Sequence, residues 1–141
     1  MKQGPKKVSR EDIRELLALA RRAVFSAYAP YSKFRVGAAV LTADGRIYTG
    51  SNIENASYGL TVCAERVGIF KAVYEGEKKL KAVAIVTEDP VEKSPCGACL
   101  QVMAEFASPE TLICLDQGSR PPVVRPLKDF LPLPFRFPRK T

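Results

Sequence analysis

The chain contains no histidine. Any site for a transition metal must therefore be built from thiolates and carboxylates. Cysteine is also scarce, with four in 141 residues. No apolar run approaches the roughly 20 residues needed to cross a bilayer, so no membrane segment is expected. The opening Met-Lys-Gln-Gly-Pro-Lys-Lys lacks the apolar core of a signal peptide. These absences point to a cytoplasmic setting, where thiols stay reduced and a metal site explains the cysteines better than a disulfide framework. The sequence also shows no internal repeat, low-complexity segment or domain linker.

Charge is present, but only at the ends. The net charge is +7. Lys2, Lys6, Lys7 and Arg10 in residues 1–10, and Arg136, Arg139 and Lys140 in residues 136–141, account for all of it, with no acid among them. A neutral body with basic ends is weak support for a polynucleotide groove. The expected organisation is a basic N-terminal tail (residues 1–8), one domain (9–135) and a basic C-terminal tail (136–141), with no nucleic-acid or membrane partner. With 46% hydrophobic residues, a chain of this length can build one good core.

Periodicity gives the elements. Ser9 caps a helix with Asp12 three residues on. Ile13, Leu16, Leu17, Ala20, Val24 and Ala27 then recur at helical spacing, predicting a helix that ends near Tyr28, before Pro30. Residues 34–41 read as a strand broken by Gly37. Ala43-Asp44-Gly45 turns the chain, and residues 46–50 return as a second strand. Residues 52–60 are a polar loop. A helix begins at Cys63 and stops near Gly76. Residues 81–87 are a β-branched run typical of a buried parallel strand. Pro95 fits the first position of a helix that runs to Phe106. Residues 111–115 are a strand, residues 122–126 a short edge strand, and the Pro-rich end an irregular segment with one helical turn. The order predicts a three-layer α/β/α fold whose mixed sheet of about five strands begins with an antiparallel hairpin.

The chemistry gathers at two helix starts. Cys96 and Cys99 are spaced i, i+3 and share one face of a first turn, with Gly97 keeping that turn unobstructed. Cys63 opens the earlier helix. The positive ends of two helices then favour thiolates at one metal. Cys114 sits in an apolar run and reads as a small buried hydrophobe. Three ligands remain, the number a catalytic zinc uses when it keeps a position for water. Glu65 lies two residues after Cys63, beside the ligands and not one of them. A zinc deaminase needs this set: metal ligands and an adjacent acid that moves protons. Three thiolates and one Zn²⁺ carry a net charge of minus one, which Arg66 would offset by hydrogen-bonding the sulfurs. A thioredoxin-like use of Cys96 and Cys99 is the competing reading, and it leaves Cys63 and Glu65 unexplained.

Along most of its length the chain resembles the small zinc-dependent cytidine deaminases of the homotetrameric type. The resemblance rests on Tyr31-Ser32-Lys33-Phe34, Val36-Gly37-Ala38-Ala39, Asn52-Ile53-Glu54-Asn55-Ala56-Ser57-Tyr58-Gly59, Thr61-Val62-Cys63-Ala64-Glu65-Arg66 and Ser94-Pro95-Cys96-Gly97-Ala98-Cys99. It implies one Zn²⁺ per subunit on Cys63, Cys96 and Cys99, with Glu65 as the catalytic proton carrier. It implies a nucleoside substrate, with Asn52 and Glu54 on the ribose 3′-hydroxyl and Phe34 packed on the base or sugar. Glu65 and the backbone of Ala64 would read the base edge, and the Ser94 carbonyl would receive the leaving ammonia. Gln101 and Arg66 would support the site, and Phe135 would complete the site of a neighbouring subunit in a homotetramer. The implied reaction is hydrolytic deamination of cytidine and deoxycytidine in pyrimidine salvage. Two departures stand out: Leu100 occupies a position where the family usually has Arg, and the C-terminal pattern is altered to Leu131-Pro132-Leu133-Pro134-Phe135. A deaminase of another substrate and a zinc-stabilised binding module are the alternatives. Glu54 opposes a polynucleotide substrate, since a carboxylate repels a 3′-phosphodiester.

Overall fold

A computed structural model describes residues 7–89 and 94–139. The basic residues Lys2, Lys6 and Lys140, and residues 90–93 between the predicted strand and Pro95, lie outside the described residues. The elements are α1 (Arg10–Ala23), β1 (Val36–Thr42), β2 (Ile47–Ser51), α2 (Ala64–Tyr74), β3 (Leu80–Thr87), α3 (Gly97–Phe106), β4 (Ala107–Gln117), β5 (Arg120–Pro126) and a single turn α4 (Leu127–Phe130). They form one five-stranded sheet in the order β2-β1-β3-β4-β5. The β1–β2 hairpin is antiparallel, as expected from its turn. β3 is antiparallel to β1 and parallel to β4, so the parallel character expected of residues 81–87 holds on one side only.

The two faces of the sheet are unlike, because strand side chains alternate. One face presents Ala39, Leu41, Ala82, Ala84, Val86 and Cys114 to Leu16, Ala20 and Val24 of the first helical segment. The other presents Val40, Val83, Ile85, Ile113 and Leu115 to Ile69, Met103, Leu100 and Leu127. Alanines on the first face let α1 lie close. At Gly37 the approach is closest: a Cβ there would sit 1.9 Å from the Ala20 carbonyl oxygen. Helices therefore cover both faces, giving the three-layer α/β/α fold. Among the described residues, no helix is long and apolar enough to cross a membrane.

Four boundaries differ from expectation. The capping box of Ser9 and Asp12 starts α1 as predicted. The α-helix stops at Ala23, however, and continues only as a 3₁₀ turn over Val24–Ser26. The Ser51 hydroxyl takes the Ala23 carbonyl, and the Tyr28 N–H and carbonyl are bonded to Asn52 and Glu54 instead of a helix ladder. Pro95 is not in the first turn of α3; it is buried one residue before the N-cap, Cys96, whose backbone is extended. β4 begins directly after α3 and is much longer than residues 111–115. Pairing with β5 extends it at one end, and Thr111 stitches its start: its hydroxyl accepts the Ser108 N–H and donates to the Leu80 carbonyl. β5 likewise starts earlier than residue 122, after the turn at Gly118, whose φ of 68° suits glycine.

The packing of α2 on β2 sets the position of everything that follows. A Cβ on Gly50 would lie 2.4 Å from both the Ala64 carbonyl oxygen and the Gly68 nitrogen. Gly50→Ala should therefore push α2 off the sheet and cost about 1–3 kcal/mol or more, as overpacking does. Gly59→Ala, where a Cβ meets nothing within 4 Å, should stay within about 0.5 kcal/mol. Urea unfolding midpoints of the two variants check the contrast.

Candidate metal and substrate site

α2 runs down one face of the sheet and β3 returns, so the start of α2, the end of β3 and the start of α3 share one edge. Cys63 is the N-cap of α2 and Cys96 the N-cap of α3, with Cys99 in the first turn of α3. The Cys63 and Cys96 sulfurs are 3.8 Å apart, and those of Cys96 and Cys99 3.4 Å. All three lie within 4.8 Å of one another. A tetrahedral zinc with Zn–S bonds of about 2.3 Å separates its sulfurs by roughly 3.8 Å, so the donor set fits one Zn²⁺. Cys114 is fully buried on the α1 face, across the sheet, and cannot reach. Among the described residues the cluster offers three ligands, which leaves one tetrahedral position for water or substrate. Gly97 is not needed for clearance, since a Cβ there would meet no atom within 4 Å.

The electrostatics suit a cluster of negative sulfurs. Hydrogen bonding from Cys99, with further donation from Arg66 and Cys96, holds the Cys63 thiol down at about 5 against the opposing effect of burial. Cys99 is pushed up because it donates to Cys63 and lies buried near the Glu65 carboxylate. The backbone N–H of Cys99 donates to the Cys96 sulfur at 3.4 Å, so the helix start itself contributes a hydrogen bond. Arg66 Nη2 donates to the Cys63 sulfur at 3.5 Å, while its Nε is buried with no hydrogen-bond partner in the protein. A guanidinium left partly unsatisfied beside the Cys63 and Cys99 sulfurs acts through its charge.

Glu65 is only 5% exposed and stands outside the metal-ligand cluster. Burial pushes its carboxyl above the usual carboxylate range, and the neighbouring Cys63 adds to that. A carboxyl raised in this way holds a proton more readily than an exposed one and can give it back to a bound partner.

A cavity of about 350 Å³ opens over these groups. It gathers Cys63, Cys96, Ala64, Glu65, Ser94, Phe34 and Asn52, and adds four residues to which sequence reasoning gave no role: Val36, Thr61, Ile85 and Thr87. Val36 and Ile85 were legible only as strand core. Their place at the end of the sheet, next to the thiols, depends on the β1–β3 register. Asn52 is 8% exposed and already employed: its Oδ1 accepts the Val36 N–H at 2.9 Å, and its Nδ2 donates to the Phe34 carbonyl at 2.8 Å. Glu54 does not line this cavity. Its carboxylate receives the Ser32 hydroxyl and the N–H groups of Ser32 and Tyr31, which hold it below the usual range, the Ser32 hydroxyl most of all. Gln101 and Phe135 also lie outside it. Gln101 Nε2 donates to the Phe135 carbonyl at 2.9 Å, and the Phe135 ring is 71% exposed. Leu100 is buried in the core between helix and sheet. A larger cavity, about 670 Å³, lies on the outer face of α2, lined by Ile53, Leu60, Val67, Phe70 and Tyr74 together with Glu54. It contains none of the thiols, so the smaller cavity is the site of chemistry.

Comparison with known proteins agrees with this geometry. The family model described as "Cytidine and deoxycytidylate deaminase zinc-binding region" matches residues 10–115. The chain is 56% identical over 99 residues to a cytidine deaminase of Sporosarcina psychrophila, covering 69% of this chain and 71% of that one. It is 50% identical over 104 residues to one of Halalkalibacterium halodurans, covering 74% and 79%. In three dimensions it is similar to the crystal structure of cytidine deaminase from Burkholderia pseudomallei, with a TM-score of 0.81 and 43% identity, covering 86% of this chain and 98% of the other. The cytidine deaminase of Mycobacterium tuberculosis gives a TM-score of 0.77 at 41% identity, covering 89% and 98%. With its thiol cluster, its buried glutamate and most of its length inside this pattern, the chain belongs to the cytidine and deoxycytidylate deaminase zinc-binding family.

Proposed function

We propose that this protein hydrolytically deaminates cytidine and deoxycytidine, giving uridine or deoxyuridine and ammonia. The observation that carries the reading is one cavity lined by Cys63 and Cys96, two of the three clustered thiols, and, beside them but outside the cluster, by the buried carboxyl of Glu65. Zinc held by Cys63, Cys96 and Cys99 supplies Lewis acidity that brings the pKa of water towards about 7. Glu65 takes the proton of the attacking water and passes it to ring N3, which makes C4 electrophilic. After the oxygen adds at C4, Glu65 takes the remaining proton of that hydroxyl and delivers it to the exocyclic amine, and ammonia leaves as the C4 carbonyl forms.

The remaining residues bind and orient. The Ala64 backbone and Glu65 meet the base edge, the Ser94 carbonyl receives the departing ammonia, and Phe34 packs on the base or sugar. Asn52 Nδ2 has a second hydrogen beyond the one given to Phe34, and Glu54 has a free acceptor position, so both can serve the ribose 3′-hydroxyl. Arg66 offsets the sulfur charge, and Gln101 holds the segment that carries Phe135. We place this work in residues 9–135, in the cytosol, on free nucleosides in pyrimidine salvage, without nucleic acid or membrane.

We further propose a homotetramer of D₂ symmetry. Phe70 and Tyr74 of α2, with Leu60 and Ile53, are exposed apolar groups around the large groove, and such patches mark association surfaces. Exposed Phe135 would then complete the site of an adjacent subunit.

Three results are expected. The purified protein releases ammonia from cytidine with the matching ultraviolet change, and Glu65→Gln keeps its zinc while losing roughly 10²–10⁴-fold in kcat; near-normal turnover in that variant would remove Glu65 from its role. Metal analysis should find zinc lost from Cys63→Ala, Cys96→Ala and Cys99→Ala and kept in Cys114→Ala. Phe135→Ala should raise KM with zinc intact, and specific activity should fall on dilution as subunits part; a fully active monomer by light scattering at nanomolar concentration would rule the assembly out.

A further inference from the structure

The turn at residues 31–34 carries a hydrogen-bonded system that the roles above leave unexplained. Glu54 Oε1 accepts the Tyr31 N–H at 2.9 Å and the Ser32 N–H at 3.1 Å, while Oε2 accepts the Ser32 hydroxyl. The same hydroxyl oxygen accepts the Phe34 N–H at 3.0 Å. One side chain thus gives its single proton to Glu54 and a lone pair to the backbone of Phe34. Lys33, between them, has a φ of 62°, a left-handed conformation that a lysine adopts only when its surroundings hold it.

We propose that Ser32 is a positioning residue for nucleoside binding: its hydroxyl locks the Glu54 carboxylate and the Phe34 main chain into one geometry. The proposal rests on the reading of Glu54 as a contact to the sugar 3′-hydroxyl. A carboxylate has about four acceptor positions. Three donors fill three of them here and leave one for a sugar hydroxyl. The terminal carboxylate torsion is intrinsically broad, so its aim must be set from outside. The two backbone N–H groups hold Oε1, and among the described residues the Ser32 hydroxyl is the hydrogen-bond donor to Oε2. Removing the hydroxyl leaves the turn attached to Glu54 and frees the rotation that points the remaining acceptor.

The test is steady-state kinetics on cytidine and 3′-deoxycytidine for the parent, Ser32→Ala, Ser32→Thr, Glu54→Ala and the Ser32→Ala/Glu54→Ala double variant, with zinc content and Tm recorded for each. Ser32→Ala should raise KM for cytidine about tenfold, the scale of a hydrogen bond to a charged group, with kcat within about twofold. Its zinc should be unchanged and its effect on 3′-deoxycytidine small. Ser32→Thr should restore the parent KM, and the double variant should be no worse than Glu54→Ala. Ser32→Cys, which keeps the shape and weakens the donor, serves as a second deletion if Ser32→Ala does not fold. An unchanged KM, equal losses on both substrates, or losses that multiply in the double variant would each overturn the role of Ser32. If Glu54→Ala itself spares cytidine, the sugar-contact reading fails and the proposal falls with it. A costly Glu54→Ala beside a neutral Ser32→Ala overturns only the proposal.

Discussion

Three sulfurs held within 4.8 Å of one another are the constraint on which the rest of this structure depends. As thiolates they repel. Two unit charges about 4 Å apart interact by roughly 4 kcal/mol at an effective dielectric of about 20. The fold answers with positive charge from several directions. Two helix N-termini meet at the cluster, each worth about half an elementary charge. Arg66 adds a full charge on the Cys63 side, and zinc supplies the largest. Glu65 is buried against the same cluster, and its raised carboxyl follows from that placement. The raised carboxyl of Glu65 and the clustered thiols are therefore products of one local environment.

That environment exists only because the sheet has two unlike faces. Alanines on one face admit α1 at close range, and larger aliphatic residues on the other meet α2 and α3. Cys114 falls on the alanine face by the alternation of β4 and is kept away from the metal by the thickness of the sheet. Gly50 and Gly68 bring α2 down onto the hairpin, fixing the height of Ala64 and so of the residues on either side of it. The close approach of Gly50 to Ala64 and Gly68 thus helps set where the neighbouring Cys63 stands.

The substrate side is built differently, from side chains tying one irregular segment to another. Asn52 takes both the Phe34 carbonyl and the Val36 N–H, and Glu54 takes the Tyr31–Ser32 turn. Backbone bonds from Tyr28 to Asn52 and Glu54 complete the seam. Residues read as contacts to a sugar are at the same time the fasteners of the loop that carries Phe34. In the proposed reading, recognition and loop structure share these groups, so substitutions at either position would act on both.

Much of this was legible in the sequence. The first helix announced its start through Ser9 and Asp12, the hairpin through its Ala43-Asp44-Gly45 turn, and the metal cluster through cysteines placed at predicted helix starts. These signals are local: capping, turn chemistry and i, i+3 spacing act within a few residues. The sequence alone also determined the ligand chemistry, since a chain without histidine has only thiolates and carboxylates to offer. What only the tertiary structure decided is where distant segments meet. It ended α1 at Ala23 by giving Tyr28 to the Asn52–Glu54 segment, moved Pro95 outside α3, carried β4 past its apolar run, and turned Glu54 towards Ser32. The outcomes at Tyr28, β4 and Glu54 come from a group choosing a partner far along the chain, and no local pattern records that choice, because the competing bonds become available only after the sheet has brought the partners together.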